Sequence, residues 1–377
     1  MEKQIKIGIT GENGFVGSHL KNTINLSPEK YESIPFDRAY FKKSEELQKF
    51  VKKCDVIVHL AGLNRHNDPS EIYNKNIALS QQIIDACEAA DATPHIIFSS
   101  STQEERDNPY GNSKREARLR LEKWAQKNNA NFSGLIIPNV FGPFGNPYYN
   151  SVVATFCHQL THNETPKIDV DGELKLIYVN HLVKEILTII DNKRENKIER
   201  IEIPHQYELK VSELLKTLTE FKEDYFEKGI FPNLDKPIVR DLFNTFLCYI
   251  DFDQFCPFHL KLNTDDRGSF VETVKLNSGG QVSFSTTVPG ITRGNHFHTR
   301  KAERFAVIQG KAKIEFRRID SDKIYSFELD GSQPSFVDMP IWYTHNITNV
   351  GDETLLTIFW INEHFDSEDM DTYFVEV

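Results

Sequence analysis

The stretch that decides the fold of the first half of the chain is residues 4–20, QIKIGITGENGFVGSHL. Its first seven residues are mostly apolar and β-branched, which predicts a buried strand. Gly11, Gly14 and Gly17 then follow in the pattern G-x-x-G-x-x-G. Glycines at this spacing allow a tight turn and let backbone N–H groups approach a pyrophosphate at the start of a helix. The stretch therefore predicts a strand, a dinucleotide-binding loop and a helix.

The rest of the chain shows two kinds of sequence pattern. Residues 55–61 and 95–101 repeat the strand pattern, and helical periodicity separates the strands, which is typical of a parallel sheet. After about residue 255, short strand-like runs alternate with turn residues, as in an all-β barrel or jelly roll. We predict an α/β Rossmann-like doubly wound parallel sheet over residues 1–250 and an all-β domain over residues 251–377.

Composition excludes some classes of function. The formal net charge of -11 argues against a general affinity for nucleic acid or for anionic membranes. No apolar run reaches the roughly 20 residues that span a bilayer, and no signal-peptide core precedes the first strand. The five cysteines include no C-x-x-C pair, and their odd number suits no closed set of disulfides. We expect a reduced, cytoplasmic protein without membrane insertion.

A tyrosine and a lysine four residues apart, Tyr110 and Lys114, form the second pattern of the first half. On a helix they would share one face, where the lysine charge would lower the tyrosine pKa from its usual value of about 10. Such a phenol can act as a general acid toward a carbonyl that accepts a hydride. An isolated pair of this kind is more often plain helix surface, but here the hydroxyl run at residues 99–102 ends just upstream.

The choice of nicotinamide cofactor depends on two charged residues about 20 positions past the glycine loop. Asp37 would hydrogen-bond a ribose 2′-hydroxyl and favour NAD. Arg38 would instead pair with a 2′-phosphate and favour NADP. Both side chains are otherwise solvated loop charges, so the residues alone leave this choice open.

Residues 290–310, GITRGNHFHTRKAERFAVIQG, carry a metal-site pattern. His296 and His298 lie two positions apart, so that on a strand both point to one side. The residues around them match the first cupin motif, and this resemblance implies that Glu303 returns on the next strand and that His345 is the fourth ligand. Three imidazoles and a carboxylate suit Zn, Fe, Mn or Ni, and spacing does not choose among them. We predict one divalent ion, zinc by preference; the alternative is a histidine-bearing strand without a metal.

Three short motifs, HLAG at 59–62, PYGNSK at 109–114 and PNVFGP at 138–143, resemble those of the extended short-chain dehydrogenase/reductase family. The resemblance covers roughly residues 4–230. It implies that Tyr110 is the proton donor, Lys114 its partner and Ser101 the catalytic hydroxyl, with Ser100 or Thr102 as alternatives. The cofactor contacts it implies are Gly11, Gly14, Phe15, Val16, Gly17, Asp37, Arg38, Leu60, Ala61, Gly62, Tyr110 and Lys114.

The second half resembles the cupins, because Gly290, His296, His298, Glu303 and Gly310 match the first cupin motif at every position. In the second motif His345 matches, whereas Pro334 and Trp342 replace the usual glycines. Residues 265–272 and 293–296 also resemble nucleotide-sugar 3,5-epimerases. In that family the histidine after Arg-Gly is the base, but here it is assigned to the metal. Tyr343 is then the candidate for proton transfer and Arg293 the candidate for stabilising an enolate.

The chain as a whole, with PGITRGNHFH in the second half and DTYFVEV at its end, resembles bifunctional capsular polysaccharide biosynthesis enzymes of the UDP-2-acetamido-2,6-dideoxy-L-talose synthase type. The resemblance implies a UDP-4-keto-6-deoxy-HexNAc substrate, which the cupin domain epimerises at C3 and the reductase domain then reduces at C4 with NADPH. The product would be a precursor of UDP-N-acetyl-L-fucosamine, made by a homodimer.

Two other functions remain open. One is a monofunctional nucleotide-sugar 4-ketoreductase whose cupin only binds sugar or mediates dimerisation. The other is a redox- or sugar-sensing regulator with a degenerate reductase fold, against which the intact Tyr110 and Lys114 speak.

Overall fold

The structure, a computed structural model, describes residues 3–192 and 197–377. The chain forms two compact units. The first comprises Met1–Phe141, Gly145–Val152 and Glu173–Leu209; the second comprises Gly142–Phe144, Val153–Gly172 and Lys210–Val377. The two units are groups of residues that contact one another more than they contact the rest of the chain. The domain limits 1–250 and 251–377 come from the sequence pattern and stay a prediction.

The first unit is built from strands and helices that alternate along the chain. The first nine strands are β1 (Ile5–Thr10), β2 (Tyr31–Ile34), β3 (Val56–His59), β4 (His95–Ser101), β5 (Phe132–Ile137), β6 (Asn139–Phe141), β7 (Glu173–Tyr178), β8 (Ile198–Glu202) and β9 (Tyr207–Lys210). The first six helices are α1 (Phe15–Ile24), α2 (Ser44–Lys53), α3 (Pro69–Ala89), α4 (Pro109–Asn128), α5 (Val152–Thr161) and α6 (Val179–Asp191). From Val153 onward, α5 belongs to the second unit.

Six of these strands form one parallel sheet in the order β2-β1-β3-β4-β5-β8. The strands are apolar because both faces of the sheet are covered. One apolar cluster includes Phe50, Leu121 and Trp124, from α2 and α4, and the other includes Leu20 and Leu182, from α1 and α6. The predicted Rossmann-like sheet is confirmed. Its strand order reverses beside β1, and ligands of such sheets bind at the carboxyl ends of the strands there.

The second unit contains most of the remaining strands and three more helices. The strands are β10 (Ile230–Phe231), β11 (Phe258–His259), β12 (Asn263–Asp265), β13 (Gly268–Phe270), β14 (Lys275–Leu276), β15 (Gln281–Thr287), β16 (Thr292–Phe297), β17 (Glu303–Gln309), β18 (Lys311–Arg318), β19 (Ile324–Asp330), β20 (Ser335–Met339), β21 (Tyr343–Asn349), β22 (Leu355–Ile361) and β23 (Tyr373–Phe374). The helices are α7 (Val211–Glu220), α8 (Pro237–Leu247) and α9 (Phe252–Phe255).

Two five-stranded sheets dominate this unit, in the orders β11-β20-β17-β22-β15 and β19-β18-β21-β16-β23. All their pairs are antiparallel, as the alternation of short strands and turns predicts. The prediction of a mostly β C-terminal region is confirmed, while its finer assignment to the cupin jelly roll stays a prediction.

A buried ion pair joins the helical segment of the second unit to one of its sheets. Arg304 on β17 makes two bonds of 2.8 Å to Asp338 on β20, and its third nitrogen donates to the carbonyl of Gly229. The hydroxyl of Tyr225 donates to the same aspartate at 2.7 Å. The guanidinium also stacks on Phe336, 3.4 Å from the ring centre.

Among the described helices of both units, none is long and apolar enough to cross a membrane.

Candidate functional site

The glycine loop between β1 and α1 has the backbone that the sequence predicts. Gly11 has a φ of +82°, a conformation that glycine adopts without steric cost, and the Gly14 N–H donates to its carbonyl. A Cβ on Gly17 would lie 2.1 Å from that same carbonyl oxygen. The third glycine is therefore needed for α1 to pack directly against the loop. The N-terminus of α1 lacks a side-chain cap and presents its N–H groups to the mouth of the loop.

Two cavities open at the carboxyl ends of the central strands, on either side of this loop. The smaller, of about 320 Å³, is lined by the loop, by residues 99–101 and by Tyr110 and Lys114. The larger, of about 1140 Å³, is lined by Arg38, Lys42 and Ala61, among others. The cofactor residues expected from the sequence all line one or both cavities except Asp37.

Asp37 has a local structural role. Its carboxylate accepts a hydrogen bond of 2.8 Å from the N–H of Ala39 and so caps a short 3₁₀ helix that begins at Arg38. Of the two cofactor-choosing residues, only the arginine thus lines the cavity, and Lys42 adds a second positive charge to the same wall.

Tyr110 and Lys114 lie in the first turns of α4, where the sequence places them on one face. Asn108 caps this helix with a 2.8 Å bond from the N–H of Gly111. The Lys114 ammonium donates to the carbonyl of Ser99 at 2.8 Å and lies 5.8 Å from the Tyr110 ring centre. A Cβ on Gly62 would come within 3.3 Å of this ammonium, so the HLAG glycine leaves room for the lysine.

The expected lowering of the tyrosine pKa is wrong. Burial, with a smaller contribution from nearby Tyr149, raises the pKa of Tyr110 to about 12. Burial also lowers the pKa of Lys114 to about 8, which the negative charge of Glu104 partly offsets. The lysine donates its hydrogen bond to a backbone carbonyl, and its ammonium lies 5.8 Å from the centre of the Tyr110 ring. Tyr110 is therefore protonated at neutral pH, which is the form a proton donor requires.

The three serines that end β4 have different partners. Ser99 donates to the carbonyl of His59 at 3.2 Å, and Ser100 donates to the buried carboxylate of Glu104. Ser101 accepts a bond from the Gln103 N–H at 3.2 Å. Within the described residues, no hydrogen bond from the Ser101 hydroxyl to a protein acceptor is recorded. The geometry is compatible with Ser101 as the hydroxyl that meets a substrate carbonyl.

Sequence reasoning missed several buried residues that hold this site in place. Glu104 receives Arg118 through bonds of 2.9 Å and 3.0 Å, which fixes the short loop between Ser101 and Tyr110. Asn76 on α3 accepts from the N–H of Leu63 at 2.7 Å and donates to Ser113 at 2.9 Å. No pattern in the sequence marks these residues, because their partners lie 13 to 37 positions away.

The four expected metal ligands converge in the second unit. One ligand atom from each of His296, His298, Glu303 and His345 lies within 4.8 Å of the others. His296 and His345 are paired across β16 and β21, while Glu303 begins β17 in the other large sheet. The carboxylate oxygen lies 2.9, 3.4 and 3.9 Å from the Nε2 atoms of His345, His298 and His296, respectively.

This donor set fits a divalent ion such as zinc. Burial alone would raise the pKa of Glu303, but the three facing imidazoles hold it well below its usual value, so the carboxylate is charged. Nε2 of His298 is buried and has no hydrogen bond of acceptable geometry, although it lies 3.4 Å from Glu303. Buried polar atoms normally have a hydrogen-bond partner. A buried imidazole nitrogen that has none, and that faces a carboxylate and two other imidazoles, fits the role of a metal ligand.

The residue expected to transfer a proton in the second unit and the residue expected to stabilise an enolate are placed differently. Tyr343 lies among Phe144, Phe252 and Phe316, and burial raises its pKa well above the usual value. Arg293 is exposed on β16. The structure thus gives a neutral phenol and an accessible guanidinium.

The first unit has the fold and the loop of a dinucleotide-binding protein, and the second adds a mostly β unit with a candidate metal centre. Two family models match these parts. That of the NAD dependent epimerase/dehydratase family matches residues 7–203, and that named polysaccharide biosynthesis C-terminal domain matches residues 263–373. The chain belongs to the NAD dependent epimerase/dehydratase family.

Relatives resemble the chain over nearly its whole length. UDP-2-acetamido-2,6-beta-L-arabino-hexul-4-ose reductase of Pseudomonas aeruginosa is 34% identical over 98% of both chains. The crystal structure of the capsular polysaccharide assembling protein CapF of Staphylococcus aureus is 37% identical, covers 98% of this chain and 100% of that chain, and has a TM-score of 0.63. RMD of Pseudomonas aeruginosa, solved with NADPH, shares the fold at 18% identity, with 58% and 83% coverage and a TM-score of 0.52.

Proposed function

We propose that the chain is a bifunctional nucleotide-sugar enzyme of capsular or surface polysaccharide synthesis. The second unit, a cupin in this proposal, epimerises C3 of a UDP-4-keto-6-deoxy-HexNAc. The first unit then reduces the C4 ketone with NADPH and gives UDP-2-acetamido-2,6-dideoxy-L-talose, a precursor of UDP-N-acetyl-L-fucosamine. The observation that carries the proposal is the convergence of Tyr110, Lys114 and Ser101 on one cavity beside the glycine loop.

The reductase step follows from the arrangement of that cavity. A bound nicotinamide cofactor would supply the hydride. Tyr110, protonated at neutral pH, gives its proton to the oxygen that was the C4 carbonyl, while Ser101 hydrogen-bonds the same oxygen. Lys114 supplies positive charge beside the phenol as the proton leaves. The name of the 34% identical relative describes a 4-ulose with a 2-acetamido group, which supports this substrate class.

Epimerisation has to come first because of the chemistry at C3. A ketone at C4 acidifies the C3 proton, since the electron pair left behind delocalises onto the ketone oxygen as an enolate. Reduction removes the ketone and this acidity with it. A base first has to take the C3 proton, which leaves the enolate. We assign Tyr343, a neutral phenol, to the proton then returned to C3, and the Arg293 guanidinium to the enolate oxygen. Zinc held by His296, His298, Glu303 and His345 would supply Lewis-acid chemistry.

NADPH is proposed over NADH from the charges on the larger cavity. Arg38 and Lys42 both line it, and Asp37 uses its carboxylate on a backbone N–H. A 2′-phosphate would therefore meet positive charge and no competing carboxylate from residue 37.

One observation favours the reductase-only alternative, because the 34% identical relative is named for a reductase activity alone. The cluster of three histidines and Glu303 favours the bifunctional enzyme, since a unit that only bound sugar would not need it. The expected homodimer is a separate prediction that light scattering of the purified protein checks.

The test uses the UDP-4-keto-6-deoxy-HexNAc in deuterated water, with and without NADPH. The bifunctional enzyme incorporates deuterium at C3 without NADPH, and with NADPH it yields a C3-deuterated 4-hydroxy product and one equivalent of oxidised cofactor. A protein-free sample measures the spontaneous exchange. NADPH oxidation without exchange above that background would support the reductase-only alternative, and neither activity would contradict both.

A further inference from the structure

The last residues of the chain lie against the candidate metal centre, within the second unit. We call residues 370–376 the C-terminal strap. Its strand β23 pairs with β16, with Phe374 opposite His296 and Tyr373 opposite Phe297. The Val375 N–H donates to the carbonyl of Asn295 at 2.9 Å. The strap thus binds the backbone at and beside the first metal ligand.

The strap also reaches the backbone next to the ligand on β21. The hydroxyl of Thr344, which directly precedes His345, donates to the carbonyl of Val375. At the other end of the strap, the buried ammonium of Lys301 donates to the carbonyl of Met370 at 2.8 Å. The strap therefore contacts Thr344, which is adjacent to His345, and Lys301, which lies between His298 and Glu303 in the sequence.

Asp371 makes the most direct of these contacts. Its backbone carbonyl accepts a hydrogen bond from Nδ1 of His298. A carbonyl can only accept, so Nδ1 carries a proton; in the neutral ring Nε2, which lies 3.4 Å from Glu303, then has the lone pair. This is the tautomer that a metal requires of an Nε2 ligand.

The carboxylate of Asp371 holds that carbonyl in place. It accepts from the N–H of Thr299 at 3.1 Å, from the Thr299 hydroxyl at 2.6 Å and from the N–H of Arg300 at 3.0 Å. The residue is buried and has a φ of 45°, in the left-handed region that aspartate, asparagine and glycine tolerate. Asp371 thus binds His298 through its backbone carbonyl and the turn after His298 through its carboxylate.

We propose that Asp371 is a positioning residue for the metal ligand His298, and that the C-terminal strap is the element by which the second unit retains its metal. The inference rests on the metal site of the proposed function. Partners that orient ligating histidines contribute strongly to metal binding, and losing one weakens affinity about 10- to 100-fold.

Two substitutions at one position separate positioning from bulk stability. Asp371→Gly keeps the carbonyl and tolerates the left-handed backbone but removes the carboxylate. Asp371→Asn keeps an oxygen acceptor and the backbone preference. Asp369→Asn is the control, because Asp369 is an exposed neighbour whose carboxylate contacts only the Arg300 side chain among the recorded bonds.

The full-length variants are loaded with zinc and challenged with a chromogenic chelator, and their Co(II) spectra are recorded. We expect Asp371→Gly to release zinc about 10- to 100-fold faster and to alter the Co(II) bands, Asp371→Asn to recover most of the loss, and Asp369→Asn to match wild type. NADPH binding should be unchanged in all three.

Other outcomes identify which idea fails. An Asp371→Gly variant with a lower unfolding temperature but wild-type zinc release and Co(II) bands would reduce the strap to a structural element. If the wild type itself binds neither Zn nor Co(II), the metal site fails and this inference with it. If the wild type binds metal but does not exchange C3, the proposed function fails while the positioning role of Asp371 stands or falls on the variants.

Discussion

At the scale of single residues, the chemistry proposed for the first unit rests on a phenol that the fold keeps protonated. Burial, rather than the lysine one turn away, sets the pKa of Tyr110 at about 12. The same burial lowers the pKa of Lys114 to about 8 and brings its titration close to working pH. At neutral pH the tyrosine therefore carries its proton, and the lysine is the group whose charge changes close to working pH.

Replacing Tyr110 with phenylalanine removes the proton donor and keeps the ring in place. We expect NADPH oxidation to fall by about 10²–10⁴-fold, the usual contribution of a general acid. Deuterium exchange at C3 should persist, because it is assigned to the other unit. Steady-state assays and circular dichroism check this, and a wild-type rate of oxidation would remove Tyr110 from the mechanism.

The pH dependence of reduction should report on Lys114. Below pH 8 the ammonium is charged, and as the pH rises through about 8 it loses its proton, so that kcat should fall on the alkaline side. Lys114→Arg keeps a charge throughout this range. Its rate should be lower overall, but its decline should move to higher pH. Identical alkaline limbs for both proteins would show that another group titrates.

At the scale of elements, the loops that follow the strands of the parallel sheet are fixed by polar side-chain contacts. The connection from β4 to α4 has only eight residues between Ser101 and Tyr110, and the Glu104–Arg118 pair holds it. The 3₁₀ helix after β2 presents Arg38 to the larger cavity because Asp37 caps its start. Short loops of this kind leave the catalytic side chains few alternative positions.

The ion pair beneath the β4–α4 loop gives a prediction about stability. Glu104→Ala leaves the Arg118 guanidinium buried without its main partner and should cost about 3–5 kcal/mol of the free energy of unfolding. Pairing it with Arg118→Met should recover part of this loss. Urea denaturation of Glu104→Ala and of the Glu104→Ala/Arg118→Met double variant measures both effects. Glu46→Ala, at an exposed ion pair, is the control and should change the free energy of unfolding far less.

The element that carries Arg38 decides the cofactor in our proposal. Arg38→Ala should weaken NADPH relative to NADH about 10- to 100-fold, the value of one charge-assisted bond. Asp37→Asn preserves an acceptor for the helix cap and should leave the preference nearly unchanged. Michaelis constants for both cofactors test this, and equal losses for NADH and NADPH would exclude a 2′-phosphate contact.

At the scale of the whole molecule, the proposal divides two reactions between two compact units. The dinucleotide loop and the Tyr110–Lys114 pair lie wholly in the first unit, and the histidine–glutamate cluster lies wholly in the second. Because the proposal gives each unit its own set of catalytic groups, damage to one should leave the other active.

This independence predicts complementation between two inactive variants. Tyr110→Phe should retain exchange at C3, and His298→Ala should retain NADPH binding and reduction of pre-epimerised sugar. Mixing the two should restore conversion of the 4-keto sugar to the reduced product, which chromatography of the nucleotide sugars detects. A mixture that stays inactive, although each variant keeps its own half-reaction, would mean that the epimerised sugar must pass within one molecule.

The sequence by itself determined the features that depend on local order. The G-x-x-G-x-x-G loop, the alternation of strands and helices, and the pair His296 and His298 follow from spacing, because a turn, a helix face or one side of a strand is fixed by neighbours. Glu303 and His345 were predicted from the resemblance to the cupin motifs. The parallel sheet, the mostly β second half, and the placement of Tyr110 and Lys114 on one helix were predicted in this way and are confirmed.

Only the tertiary structure decided the features that depend on burial and distant contact. The pKa of Tyr110 rises instead of falling because the fold excludes water from it, which no spacing of residues expresses. The roles of Glu104, Asn76 and Asp371 arise from partners far along the chain; Asp371 lies 73 positions from His298. Sequence patterns record which side chains share an element, whereas electrostatics and hydrogen bonding depend on which elements the fold brings together.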